Sequence, residues 1–94
     1  MTEYIYNYYE QKNINPIGNG KAEWVVIKEH IKNAKRTNEN LELATSKDTM
    51  RFFRNIGSKQ QIKRTYKNGK ETVKIYSYAP NDLNHRAVHE FIEK

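Results

Sequence analysis

The clearest structural signal in the chain lies in residues 62–76, which read IKRTYKNGKETVKIY. Asn68 and Gly69 stand between two strand-like runs, and Asn-Gly is the preferred pair for a two-residue type I′ turn. A turn of this length fixes the register, so that Lys67 faces Lys70 and the flanking residues pair outward from them. The stretch therefore predicts an antiparallel β-hairpin.

The predicted register gives this hairpin two different faces. One face is able to pack on a core and carries Ile62, Arg64, Tyr66, Glu71, Val73 and Ile75. The other face is basic and aromatic and carries Lys63, Thr65, Lys67, Lys70, Thr72, Lys74, Tyr76 and Tyr78. Lysines among aromatic rings are typical of surfaces that hold single-stranded nucleic acids. They are equally typical of an exposed strand whose tyrosines cover a thin core and whose lysines prevent aggregation.

Two longer segments on either side of the hairpin show helical spacing of apolar residues. The first is residues 22–36, which we predict to be a helix. Its recurring apolar residues are Val26, Ile27, Ile31 and Ala34. The second follows Pro80, which ends the hairpin strand, and is predicted to be a helix capped by Asn81 or Asp82. Its predicted buried stripe consists of Leu83, Ala87, Val88, Phe91 and Ile92.

A shorter helix is predicted just before the hairpin, over residues 47–56. Ser46 is a good N-cap, Asp48 suits the positive end of the helix dipole, and Gly57 supplies the left-handed residue that ends a helix. The predicted helix has an apolar side and an opposite cationic side. The cationic side carries Lys47, Arg51 and Arg54.

The N-terminal segment is dense in aromatic residues. Tyr4, Tyr6 and Tyr8 would share one face of a strand, but Tyr4 and Tyr8 are also a helical i,i+4 pair, so strand and first helical turn both remain open. Residues 13–20 form a loop by their Asn, Pro and Gly content.

These elements predict one small α+β domain over residues 1–94. The aromatic segment and loop occupy residues 1–20, and the α+β core occupies residues 21–94. Helices are expected to pack on an antiparallel hairpin or small sheet, and the order of helix then basic hairpin is similar to that of winged-helix proteins.

Composition excludes several classes of protein. The chain has 94 residues and no cysteine, which excludes disulfides, thiol catalysis and thiolate metal sites. Its longest apolar run is four residues, whereas a membrane-spanning helix needs roughly 20. The N-terminus has no signal-peptide pattern. We therefore expect a cytoplasmic protein without a membrane partner.

The positive charge is concentrated in the middle of the chain. Residues 28–74 contain thirteen lysines and arginines against five acidic residues, a net charge of +8, while the whole chain carries +6. A localised basic region attracts polyanions, of which nucleic acid is the commonest.

Catalytic and metal sites are not predicted. His85 and His89 have the i,i+4 spacing of two helical zinc ligands, but the glutamate of the HExxH motif is absent, so solvated surface histidines are expected. Asp48 and Asp82 are the only aspartates and each has a capping role. We expect no enzyme activity, no metal and no cofactor.

The sequence favours a non-catalytic nucleic-acid-binding module, with duplex DNA preferred over single strands or RNA. The helix would enter a groove, the hairpin lysines would hold phosphates, and one tyrosine would pack against a sugar or a base. The predicted site consists of Lys47, Arg51, Arg54, Lys63, Lys67, Lys70, Lys74 and Tyr76. The oligomeric state stays open, a dimer included.

Residues 46–57, SKDTMRFFRNIG, together with the hairpin and YSYAP at 76–80, resemble a pattern in small uncharacterised proteins of low-GC Gram-positive bacteria and their phages. The resemblance covers residues 46–91 and implies a phage or mobile-element origin. It leads to the alternative function, a small protein that inhibits or modulates a host protein such as a defence, replication or transcription enzyme. Its docking surface would be the tyrosine-rich N-terminus and the Trp24 region, because tyrosine and tryptophan favour interface hot spots.

Overall fold

The computed structural model describes residues 2–15, 20–37, 41, 43–45, 47 and 59–94. Over these residues it contains five strands, β1 (Glu3–Asn13), β2 (Trp24–Thr37), β3 (Gln60–Lys67), β4 (Lys70–Ala79) and β5 (Asp82–Glu93). They form one sheet in the order β2-β1-β5-β4-β3, and every neighbouring pair is antiparallel. The connection from β2 to β3 joins the two edges of the sheet, and residues 41, 43–45 and 47 within it are helical.

The predicted hairpin is confirmed. Lys67 pairs with Lys70, and the register continues unbroken to Gln60 opposite Ser77. Asn68 and Gly69 have φ angles of 54° and 76°, the left-handed values that a type I′ turn requires at both central positions.

The predicted α+β class and its winged-helix-like arrangement are wrong, because both long predicted helices are strands. Residues 22–36 fall largely on β2, where bulges imitate helical spacing. Tyr6 pairs with Ala34 and Tyr8 pairs with Ile31, so two steps along β1 match three along β2. The extra residue places Ile31 and Ala34 on the same side, three positions apart, and Asn33 adopts a φ of 60° in the bulge.

The helix prediction for the C-terminal segment is wrong for a different reason. It forms β5, the central strand of the sheet, where Ala87, Val88 and His89 are all fully buried. Its apolar residues lie on both faces, Ala87 and Phe91 on one and Val88 and Ile92 on the other, and the resulting spacing of one, three and four positions matches that of a helix. The expected helix cap, Asp82, serves a turn instead, since its Oδ1 accepts the backbone amide of Asn84 at 2.9 Å.

The remaining local predictions have mixed outcomes. The aromatic N-terminal segment is the strand β1, and Pro80 follows the last residue of β4 as expected. Of the short helix predicted at residues 47–56, only Lys47 is described, and it is helical; residues 48–56 lie outside the described residues.

One face of the sheet carries the hydrophobic core, and we call it the core face. It consists of Tyr4, Tyr6, Tyr8, Val73, Ile75, Ala87, His89 and Phe91. The ring centroids of Tyr6 and Phe91 lie 4.9 Å apart, and Leu41 from the helical connection packs against this cluster. Leu41 of the helical connection therefore covers part of the core face.

The opposite face, which we call the outer face, carries Tyr9, Tyr76, Tyr78, Arg86 and Val88. The structure also shows, in the part of the chain that it describes, no helix with the length and apolar character needed to cross a membrane.

Candidate nucleic-acid interface

The structure brings part of the predicted site together on the outer face. Lys63 and Lys74 are cross-strand partners, and with Thr65 and Tyr76 they line a depression of about 90 Å³. Lys63 is exposed, while Lys74 and Tyr76 are half-buried. The two lysines and the tyrosine that were predicted to act together therefore surround one small concave surface.

The other predicted site residues are spread more widely. Lys67 and Lys70 flank the exposed turn at the far end of the hairpin. Lys47 is exposed in the helical connection, away from the hairpin lysines along the chain. Arg51 and Arg54 lie outside the described residues, so the predicted cationic stripe is represented only by Lys47.

The outer face contains a stacked arginine that the sequence analysis did not select. The guanidinium carbon of Arg86 lies 3.8 Å from the ring centroid of Trp24 and 4.1 Å from that of Tyr76. It also lies 5.8 Å from the ring of Tyr78, whose centroid is 6.0 Å from that of Trp24 in an edge-to-face arrangement. We call these four residues the Arg86 stack. Contacts of this kind between a guanidinium and aromatic rings contribute roughly 0.5–2 kcal/mol each.

Two hydrogen bonds fix the orientation of this guanidinium. Arg86 donates from Nε to Oε1 of Gln11 at 2.9 Å and from NH1 to the hydroxyl of Tyr78 at 3.2 Å. Tyr78 in turn donates to Oε1 of Gln61 at 3.3 Å, which links the stack to the edge strand β3. Stacking sets the plane of the guanidinium and the two acceptors set its rotation within that plane.

The rings of the outer face also have a structural role. Val88 is fully buried, and its cross-strand neighbours on this face are Tyr9 and Tyr76. Burial, followed by the negative charge of Glu90, raises the pKa of Tyr9 to about 12, so its hydroxyl stays neutral. Tyr76 therefore fits both interpretations of the hairpin tyrosines. It borders the buried Val88, as a ring that covers apolar residues does, and it borders the lysine depression, as a ring that contacts nucleic acid does.

One acidic residue, Glu90, borders the lysine depression on the β5 side. Glu90 lies opposite Lys74, and its Oε2 is 3.5 Å from the lysine Nζ. Its other oxygen accepts a hydrogen bond from Nδ2 of Asn7 at 3.1 Å. Glu90 therefore places a negative charge beside Lys74 on the β5 side of the lysine depression.

The three histidines lie on the core face, and the prediction of a solvated surface residue is wrong for His89. His89 is fully buried, and its Nδ1 lies 2.9 Å from the hydroxyl of Tyr6. His30 and His85 both hydrogen-bond through Nε2 to the carboxylate of Glu10. Burial raises the pKa of Glu10, but the hydrogen bonds from His30 and His85 outweigh burial and leave that pKa lowered.

This histidine cluster does not make a metal site. In the ranges that the structure describes, no three His, Cys, Asp or Glu side chains are grouped in a way that could hold a metal ion. The Glu10 cluster instead cross-links β1 to both of its neighbours, since His30 is on β2 and His85 is on β5.

Sequence reasoning missed the Arg86 stack because its members come from distant strands. Trp24 and Arg86 are sixty-two positions apart, and the sequence pattern predicts that Arg86 lies on a helix. The available signal was the excess of aromatic residues, 12% of the chain, together with an arginine in a segment that is otherwise acidic.

Comparison with known proteins adds no assignment to this geometry. No protein-family model matches the chain, and neither the curated proteins nor the solved structures contain a match.

Proposed function

We propose that the protein is a non-catalytic nucleic-acid-binding module that binds through its outer face. The observation that carries this proposal is the grouping of Lys63, Lys74 and Tyr76 around one depression, next to the Arg86 stack. Positive charge that tracks a phosphate backbone, combined with rings on which bases stack, is the general design of nucleic-acid-binding surfaces.

The earlier preference for duplex DNA loses its structural basis. It depended on the winged-helix-like order, which is wrong, and on a recognition helix that lies outside the described residues apart from Lys47. The proposal therefore rests on the sheet surface and on the hairpin lysines.

The alternative, docking on a host protein through the aromatic N-terminus, has less surface available than the sequence indicated. Tyr4, Tyr6 and Tyr8 are almost completely buried in the core face. Trp24 is half-buried against Arg86. Since these rings were the predicted hot spots, nucleic-acid binding is the better-supported function.

Fluorescence anisotropy with labelled oligonucleotides tests the proposal. Binding should weaken steeply between about 50 and 200 mM salt, because each neutralised phosphate releases counterions. Replacing Lys63→Gln and Lys74→Gln together should lower the slope of log affinity against log salt by roughly 1.4–1.8, at about 0.7–0.9 for each lost phosphate contact.

A matched control removes two positive charges from the core face instead of the outer face. Lys12 and Lys28 are exposed and pair with His85 and Glu10, respectively, on the core face. The double variant Lys12→Gln/Lys28→Gln should leave the salt slope nearly unchanged. Equal losses in the two double variants would show that the charge acts without a defined surface, and absence of binding by the wild-type protein at about 50 mM salt would refute the function.

A further inference from the structure

The Arg86 stack holds an arginine whose hydrogen-bonding capacity is only partly used. A guanidinium has five N–H donors, and Arg86 places one on Gln11 and one on Tyr78. In the part of the chain that the structure describes, no carboxylate forms an ion pair with Arg86. The side chain is therefore a fixed cation with three remaining donors and, among the described residues, no carboxylate counterion.

Such an arrangement differs from that of an arginine whose charge is paired with a carboxylate. Arg64 illustrates the contrast, because it also lies on the sheet but pairs with Glu71 at 3.3 Å. Arg86 is instead clamped between two rings, and this stacking removes side-chain freedom before any ligand arrives. A guanidinium that is fixed in this way loses less entropy when it binds an oxyanion, and its planar fork fits two phosphate oxygens.

We propose that Arg86 is the phosphate-binding centre of a site for single-stranded nucleic acid. The strand lies across the outer face, with one phosphate on the free edge of the Arg86 guanidinium and neighbouring bases against the rings of Trp24 and Tyr78. Its backbone continues towards Lys63 and Lys74. This inference deepens the proposed nucleic-acid function and rests on it.

The layout of the sheet favours a single strand over a duplex. Arg86 and Tyr78 are cross-strand partners, and Lys74 lies four residues from Tyr78 along β4, roughly 13 Å at about 3.3 Å per residue. Arg86 is half-buried at the level of the rings that flank it, whereas Lys67 and Lys70 are exposed at the hairpin turn. A flexible strand with unpaired bases is able to reach that level and to stack there, while a duplex keeps its bases paired and presents only its backbone.

The test compares Arg86→Lys with the wild-type protein, because lysine keeps the charge but loses both the planar fork and the stacking. The probes are a labelled twelve-nucleotide oligothymidylate, the oligouridylate of the same length, and a twelve-base-pair DNA duplex. We expect the wild-type protein to bind the single strands at least about tenfold more tightly than the duplex. Arg86→Lys should weaken single-strand binding by about tenfold or more and change duplex binding less than twofold.

A second measurement needs no variant and covers the case in which Arg86→Lys does not fold. Trp24 is the only tryptophan of the chain, so its fluorescence reports directly on the stack. Single strands should change this fluorescence saturably, with the same midpoint as the anisotropy titration, whereas inorganic phosphate should displace bound strand without reproducing the full change.

The outcomes separate this inference from the proposed function. Binding that leaves Trp24 fluorescence unchanged, or that Arg86→Lys does not weaken, would overturn the Arg86 site and leave the nucleic-acid function standing. Equal or tighter binding of the duplex would overturn the single-strand preference. Absence of binding to every probe would refute both. The DNA and RNA single strands identify which sugar the site accepts.

Discussion

The two faces of the sheet use the same residue type in opposite ways. The core face contains Tyr4, Tyr6 and Tyr8, which are almost completely buried against apolar neighbours. The outer face contains Tyr9, Tyr76 and Tyr78, which are half-buried and lie near Arg86, Lys63 and Lys74. Tyrosine has an apolar body and a polar tip, so it suits both settings, and its neighbours decide which role it has.

The same contrast holds for the charged groups. On the core face His89 is kept neutral by burial, and Glu10 is shared between two imidazoles. On the outer face Arg86 keeps its charge and has no carboxylate partner among the described residues. The core face thus pairs Glu10 with two imidazoles, whereas the proposed phosphate-binding residue of the outer face, Arg86, has no carboxylate partner among the described residues.

The largest expected effect comes from truncating the core. Phe91 is fully buried, with its ring 4.9 Å from that of Tyr6, so Phe91→Ala should lower the free energy of unfolding by about 3–5 kcal/mol. Tyr76→Ala on the outer face should cost less than about 1.5 kcal/mol but weaken nucleic-acid binding. Urea denaturation and anisotropy measure both. Similar stability losses in the two variants would mean that the outer face is a second core.

The second effect is a loss of stability in mild acid, caused by His89. Burial, with a smaller contribution from the charge of Arg36, lowers its pKa from 6.5 to about 3. The unfolded chain therefore takes up this proton first as the pH falls, and the free energy of unfolding decreases between pH 6.5 and about 3, by up to about 1.4 kcal/mol per unit. Urea denaturation at several pH values from 7.5 to 5 measures the slope.

This pH range also isolates His89 from Glu10. The pKa of Glu10 is lowered from 4.5, so its contribution to stability is present above that pH and is lost only below it. The variant His89→Gln should remove most of the slope between pH 6.5 and 5. A wild-type protein whose stability is constant over that interval would contradict the buried, neutral assignment of His89.

Sequence reasoning succeeded where structure is local and failed where it is not. The Asn68-Gly69 pair determines its own turn geometry, and the register of the hairpin follows from it. The nature of β2 and β5 depends on partners far along the chain. Bulges in β2 place Ile31 and Ala34 on one side, and β5 carries apolar residues on both of its faces. A single sequence does not contain that information in its periodicity.

The residues of the candidate site show the same difference between local and long-range information. Lys63, Lys74 and Tyr76 were placed on one face by the hairpin register alone, and the structure keeps them together. Arg86 could not be found in this way, because the face it occupies follows only from the pairing of β5 with β4. Local pairing located the lysines, and only the tertiary topology located the arginine.

The third effect concerns the cluster that joins three strands on the core face. Glu10→Gln removes the charge that accepts hydrogen bonds from His30 and His85, so it should lower the free energy of unfolding by about 1–3 kcal/mol. Nucleic-acid affinity should change less than twofold once the variant is folded. Glu29→Gln, an exposed residue of β2, is the control and should leave stability nearly unchanged. A loss of binding in Glu10→Gln would place part of the ligand site on the core face.

The smallest effect on stability, and the sharpest test of the two faces, is expected from Glu90→Gln. The pair between Glu90 and Lys74 is partly exposed, so its loss should change the free energy of unfolding by less than about 0.5 kcal/mol. The amide oxygen of glutamine is still able to accept the hydrogen bond from Asn7. The variant removes the negative charge beside the lysine depression and releases Lys74 for a phosphate, so nucleic-acid affinity should rise about two- to threefold at low salt.

Glu10→Gln makes the same change of charge on the core face and provides the matched comparison for Glu90→Gln. If long-range attraction by net charge alone governed binding, both variants would raise affinity equally, because each adds one positive unit to the same small molecule. If the outer face is the binding surface, only Glu90→Gln raises affinity, and the gain disappears when Lys74→Gln is added. An equal gain in both glutamate variants would show that the protein attracts polyanions without the defined surface that the sheet provides.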